Sequence, residues 1–374
     1  MVEMNMKNVV VGSGLCPLAV RFQMRGGNGD LNDVVARIKN LKSGIRKGGK
    51  LFRNYPQSLF DEILSWDEIN PDYMFVEGAR SSVVIAQKVI KSFCGNSVRS
   101  VMAYTVGEKN GGATKEVEKS LSQFDIEPLF SYLPKGRGDN QIDIVIEDMS
   151  DHSTARMYQA SRRSFRYKCD LEKIEKELKE NVNVLMLNRA AKGAKDSATT
   201  LLSRNKNNLV SFRIHNFSRH AGVSENADML ESANFIFITD PEKDQIICQD
   251  LKRYYDVENL DELARRILEI NDIKRLVVMP PSEECENLRF YTTDFNRCVE
   301  VKCPDSPRAK TAWLNGACVA LTCKDWQGKP PFELENRFPK TYRDFELFCD
   351  WATQLAYSDY AGEDFKITES WIIE

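Results

Sequence analysis

The sequence predicts an α/β fold, a mostly parallel β-sheet covered by helices on both faces. Short apolar runs rich in β-formers alternate with helical patterns along 374 residues. Strands separated by helices of about 10 to 15 residues are the signature of successive βαβ units. With 42% hydrophobic and 29% charged residues, the chain has the material for a large core.

Taken in order, the strand runs are Asn8–Val11, Tyr73–Val76, Val98–Thr105, Val182–Leu187, Leu209–Phe212, Phe235–Ile238 and Leu276–Met279. The helical patterns between them include Ser82–Phe93, Thr114–Ser122, Asp261–Ile270 and Thr311–Leu321. One stretch breaks the alternation. Ile126–Tyr132 and Gln141–Glu147 flank the turn-rich Pro134–Asn140 and read as a β-hairpin flap, about 126–148, outside the parallel sheet. Residues 23–66, rich in charge and glycine around one amphipathic helix from Asp30 to Lys42, read as a surface insertion. The domain is expected to span 1–323. A C-terminal extension, 324–374, carries an aromatic helix from Tyr342 to Tyr357 whose Phe345, Phe348, Trp351 and Leu355 share one face and are expected to dock on it.

A net charge of -3 gives no overall basic field for binding nucleic-acid backbone. The arginine-rich Ser161–Lys168, with Lys42–Arg53 and Arg204–Asn208, leaves local contact with nucleic acid as a minor expectation beside the reading of solvated loops. Ten cysteines lack any C-x-x-C pair and the chain has three histidines, so no metal site is expected. No stretch approaches the roughly 18 apolar residues that span a bilayer, and no signal pattern opens the chain. The expectation is a protein of the cytoplasm or another reducing, soluble compartment. Val10–Gly14 offers two glycines after a strand, but Pro17 stands where a dinucleotide fingerprint needs a third. His152, His215 and His220 lie in no nucleophile context.

Four stretches, in order and spacing, resemble the ribokinase-like (PfkB) carbohydrate and nucleoside kinase family. Val10-Val-Gly-Ser13 is similar to its opening G-S segment. Glu77–Ala86 followed by Tyr104–Gly111 sits where the family has G-G-x-x-x-N, an alanine-rich helix and a V-G-x-D-x-x-G turn. Leu209–Arg219, followed by Ser232–Glu242, looks like F-D-x-N-x-R and N-x-x-E. Asp305–Gly316 overlays D-T-x-G-A-G-D-x-F-x-x-G without a gap. The resemblance covers about residues 7–323. It implies a three-layer sandwich with a small β lid.

The resemblance also implies where the chemistry would sit. Phosphoryl transfer to a hydroxyl needs positioning, an anion cradle and a base. The family's G-A-G run and following aspartate correspond to Arg308, Ala309, Lys310 and Thr311. A threonine hydroxyl does not ionise near neutral pH, and Pro307 lacks an N–H. Candidates for nucleotide or anion binding are Arg308, Ala309, Lys310, Glu242 and Thr239, the last in place of an asparagine. Candidates for the substrate pocket are Pro17, where the family has a sugar-gripping aspartate, Gly78, Ser82 and Asp305. Glu77 replaces a glycine, Arg213 an aspartate, and Met279-Pro-Pro281 the T-x-G loop. The expectation is a degenerate member that has lost phosphotransfer and serves as an interaction, regulatory or ligand-sensing subunit. The alternative is a divergent kinase of a small sugar or nucleoside using ATP and Mg. The resemblance further implies a homodimer, or a heteromer with a protein partner.

Overall fold

The computed structural model describes residues 8–14, 16–25, 30–34, 36–38, 40, 57–135, 140–150, 154–158, 168–188, 191–214, 222–238, 245–270, 273–279, 287–302, 311–323 and 338–357. The first half holds β1 (Asn8–Ser13), β2 (Leu18–Met24), helix α1 within 31–40, α2 (Gln57–Leu64), β3 (Ile69–Ala79), α3 (Ser82–Cys94), β4 (Val98–Glu108), α4 (Gly112–Gln123), β5 (Ile126–Leu133), β6 (Ile142–Glu147) and β7 (Thr154–Tyr158). The second holds α5 (Leu171–Leu178), β8 (Val184–Leu187), α6 (Ala194–Arg204), β9 (Leu209–Ile214), α7 (Val223–Ser232), β10 (Phe235–Ile238), α8 (Gln245–Tyr255), α9 (Leu260–Leu268), β11 (Leu276–Met279), β12 (Asn287–Thr292), β13 (Phe295–Lys302), α10 (Thr311–Cys323) and α11 (Tyr342–Tyr357).

Two sheets result. The larger has nine strands in the order β13-β12-β11-β10-β9-β8-β1-β4-β5, and the smaller four, β3-β2-β6-β7. The chain divides into two compact units, one of residues 1–14, 82–103 and 167–366, the other of 15–81, 104–166 and 367–374.

In the first unit, β4, β1, β8, β9, β10 and β11 pair in parallel, while β11–β12 and β12–β13 are antiparallel. β8, β9, β10 and β11 are buried at every residue, as strands covered on both faces must be. Helix α3 earns its place by burying Val83, Ala86, Gln87 and Ile90 on one stripe. Asn259 caps α9 by accepting from the Glu262 amide at 2.8 Å, while the Glu262 carboxylate accepts from the Asn259 side-chain amide and the Glu258 backbone amide. Helix α11 buries Phe345 and Phe348. Phe345 stacks on Phe295 of β13 with ring centroids 5.8 Å apart, and Phe348 meets Phe235 at 6.4 Å. Trp351 and Leu355 are half-buried.

The second unit corrects two readings. β5 belongs to the nine-stranded sheet and β6 to the four-stranded one, so 126–133 and 141–147 are not the two arms of one hairpin. The small sheet is instead built from β2, β3, β6 and β7, with β2–β3 and β6–β7 antiparallel and β2–β6 parallel. Nor are the described parts of 23–66 a surface appendage. Val34, Ile38, Phe60, Ile63 and Trp66 are buried, and Phe60 packs on Phe22 of β2 at 6.1 Å. A β-sheet with one apolar face must have it covered, and this segment supplies that cover. The tip of the expected flap, 136–139, lies outside the described residues, as does 161–167.

Candidate functional site

In open parallel sheets, ligands bind beyond the carboxyl ends of strands, where the strand order reverses. In the first unit that point is β1, which has β4 on one side and β8 on the other. Register defines a row of residues across it. Gly12 pairs with Met186, and Met186 with Ser211. A Cβ on Gly12 would meet Val83 and Gln87 of α3, and the Ser211 hydroxyl shares a 2.5 Å hydrogen bond with Asn315 of α10. The row therefore faces the helices α3 and α10. One pleat further on, the same face carries Gly14, Asn188 and Arg213.

Asn188 lies against Gly14. A Cβ built on Gly14 would sit 2.1 Å from the Asn188 Oδ1, so any larger residue there would displace the Asn188 side chain. Asn188 is 3% and Arg213 5% exposed. Among the described residues, Asn188 Oδ1 has no hydrogen-bond partner, a costly condition for a buried amide. Helix α10 begins at Thr311, one turn before Asn315, and its first turn carries no acidic residue. A buried amide with an open acceptor is a place where a polar ligand group that donates a hydrogen bond can be held. Among the described residues, the carboxyl ends of β1, β8, β9, β10 and β11 present no carboxylate to take a proton.

The second unit brings Pro17 and Gly78 together. The Arg80 amide donates to the Pro17 carbonyl at 3.0 Å, and Gly78 pairs with Ala19. Gly78 has φ +84° and packs on Ser120, whose hydroxyl accepts from the Ala79 amide at 2.9 Å. That left-handed backbone and close contact explain the glycine. Beside it, Glu77 accepts from Arg21 and Arg80, and Arg21 also donates to Glu147 of β6 at 2.8 Å. Burial pushes the Glu77 carboxyl up from its ordinary value against the opposing pull of the Arg80 and Arg21 guanidinium groups.

Ser82 opens α3 in the first unit and is 4% exposed. Thr239, Glu242, Asp305, Arg308, Ala309 and Lys310 lie outside the described residues, and of Thr311 only the helical backbone is described. Sequence reasoning missed Asn188, although a polar residue directly after the apolar run Val184–Leu187 was a signal for a strand end. It also missed the pairing of Glu77 with Arg21, which lies 56 residues away and follows no local rule.

No family model and no curated protein matches the chain. Solved structures do. Adenosine kinase from Schistosoma mansoni, in complex with 2-fluoroadenosine, is 14% identical over 94% of each chain with a TM-score of 0.61. Anopheles gambiae adenosine kinase, in complex with P1,P4-di(adenosine-5) tetraphosphate, is 11% identical over 96% of this chain and 99% of that one, with a TM-score of 0.60. Methanocaldococcus jannaschii nucleoside kinase, an archaeal member of the ribokinase family, is 14% identical over 89% and 88%, with a TM-score of 0.52. The fold is ribokinase-like, an α/β architecture with a large, mostly parallel central sheet.

Proposed function

We propose that this chain is a non-phosphorylating protein on a ribokinase-like scaffold, one that binds a small ligand or a protein partner without transferring phosphate. The observation that carries the reading is the start of α10, where the first helical residue is Thr311 and the family's base would be a carboxylate. Loss of a general base removes about 10²- to 10⁴-fold in rate. The strand ends supply no substitute among the described residues, and Arg213 offers a cation where the resemblance expects an acid.

Nucleosides are the first ligand class to test, since the solved neighbours described above are adenosine and nucleoside kinases; small sugars follow from the resemblance. A homodimer or a heteromer with a catalytically competent relative is the assembly we propose, in a reducing compartment that keeps the cysteines as thiols. Among the described residues no helix is long and apolar enough to cross a membrane.

The deciding experiment incubates the purified protein with ATP, Mg²⁺ and a panel of nucleosides and sugars, following phosphate transfer and thermal stability in parallel. Stabilisation by a panel member with no phosphorylated product is the expected result. ATP-dependent product formation that disappears in a Thr311→Ala variant would overturn the reading and favour a divergent active kinase.

A further inference from the structure

The small sheet holds an ion-pair cluster of an unusual kind. The side chains of Arg21, Glu77, Arg80 and Glu147 are 3%, 3%, 7% and 12% exposed. They come from β2, β3, the residue after β3, and β6. Glu77 is the centre. Its Oε1 accepts from Arg21 Nε at 3.2 Å and its Oε2 from Arg80 Nη1 at 3.4 Å, so each carboxylate oxygen has its own guanidinium. Glu147 accepts from the Arg21 Nη1 at 2.8 Å.

Ionic groups are an expensive way to fill such a place. A buried pair often contributes no more than apolar side chains of similar volume, because desolvating both charges offsets their attraction. Two arginines from separate segments that converge on one planar carboxylate are, by contrast, how proteins recognise a carboxylate ligand. Here the occupant is part of the chain. It stands two residues before Ala79, whose amide donates to the Ser120 hydroxyl at 2.9 Å and ties this end of β3 to α4.

We infer that Glu77 acts as a tethered ligand: Arg21 and Arg80 form a site for a small carboxylate on the four-stranded sheet, and the Glu77 side chain fills it, closing that site to exogenous molecules. The inference deepens the non-phosphorylating reading above and rests on it for its functional meaning. Its test reads the melting of the protein without substrate, so it can fail while that reading stands, and the reverse.

The full chain is compared as wild type, Glu77→Ala and Glu77→Gln by thermal unfolding, in sodium formate and in sodium chloride at the same ionic strength. Truncating Glu77 takes away the carboxylate that Arg21 and Arg80 share in this buried network, so the Ala variant is expected to melt lower by roughly 5–10 °C. Formate enters the vacated space, restores at least half of that loss and saturates with concentration, while chloride does not. The Gln variant, whose amide fills the space, melts low and gains nothing from formate. In a Glu77→Ala, Arg21→Met double variant the formate effect is lost. Should Glu77→Ala be insoluble, soluble expression in formate-supplemented refolding supports the inference, and failure there with a wild-type-like Gln variant overturns it. Equal rescue by chloride, or variants that melt as the wild type does, also overturn it.

Discussion

Gly316 of α10 lies so close to Ala86 of α3 that a Cβ built on it would sit 2.5 Å from the Ala86 carbonyl oxygen and 2.8 Å from its Cα. Both are backbone atoms, which cannot rotate away. Alanine is favoured over glycine in a helix interior by about 1 kcal/mol, whereas overpacking a tight contact costs about 1–3 kcal/mol. The clash wins. Gly316→Ala is expected to lower the denaturant midpoint without changing the slope, and a variant as stable as wild type would show that the two helices can separate freely.

Arg275 is fully buried and donates to three backbone carbonyls, Glu231 at 2.5 Å, Ile267 at 3.0 Å and Ala233 at 3.2 Å. These lie at the carboxyl ends of α7 and α9, where helices leave carbonyls unsatisfied. One planar fork therefore closes two helix ends, a geometry that a lysine ammonium does not reproduce. Arg275→Met strands three acceptors at about 1–3 kcal/mol each, and a loss of at least 3 kcal/mol in chemical denaturation is expected. Arg275→Lys should recover only part of it.

Alkaline stability follows from the tyrosines. Burial and the hydrogen bond to Glu118 push Tyr132 up to about 12, and burial drives Tyr255 and Tyr291 well above their ordinary value. A phenol held neutral in the folded state gives stability that is complete below its unfolded value near 10 and is lost as pH climbs toward the folded value. Arg275 works the other way. Burial brings it down to about 10, so the folded state sheds that proton first and gains stability above pH 10. Three phenols outweigh one guanidinium, and melting temperature is expected to fall above pH 10. The gap between wild type and Tyr132→Phe should narrow from pH 10 to 12; a constant gap would show that Glu118 does not hold the phenol.

At the start of α10, Thr311→Asp places a negative charge where the helix dipole is positive, and the first turn has no acid of its own. A gain of about 0.3–1 kcal/mol is expected. The same variant should form no phosphorylated product from ATP, because Pro17 and Arg213 still stand where the resemblance expects acids. Product formation by Thr311→Asp alone would mean that only the base had been lost.

The apolar runs marked β1, β4, β8, β9, β10 and β11 of the parallel sheet, because strands buried on both faces advertise themselves locally, but the same series counted Tyr73–Val76, which lies in β3 of the four-stranded sheet, antiparallel to β2. Thr311 stands at the base position only through the resemblance of four spaced stretches, a reading made from the sequence alone. The flap was not legible. Ile126–Leu133 and Ile142–Glu147 have the same propensity in either sheet, and pairing between strands decides which one each joins. Leu18–Met24 alternates around Arg21 and Gln23, a charge that reads as solvent-facing until Glu77 and Glu147 are found beside it.

What the chain's own order of residues determined is therefore the class of fold and the absence of a carboxylate at position 311, both of which are properties of local pattern. What only tertiary structure decided is which polar residues meet: Asn188 against Gly14, Arg21 between Glu77 and Glu147, Arg275 across two helix ends. Those meetings depend on strand register and helix approach, which are set by packing among residues far apart in the chain.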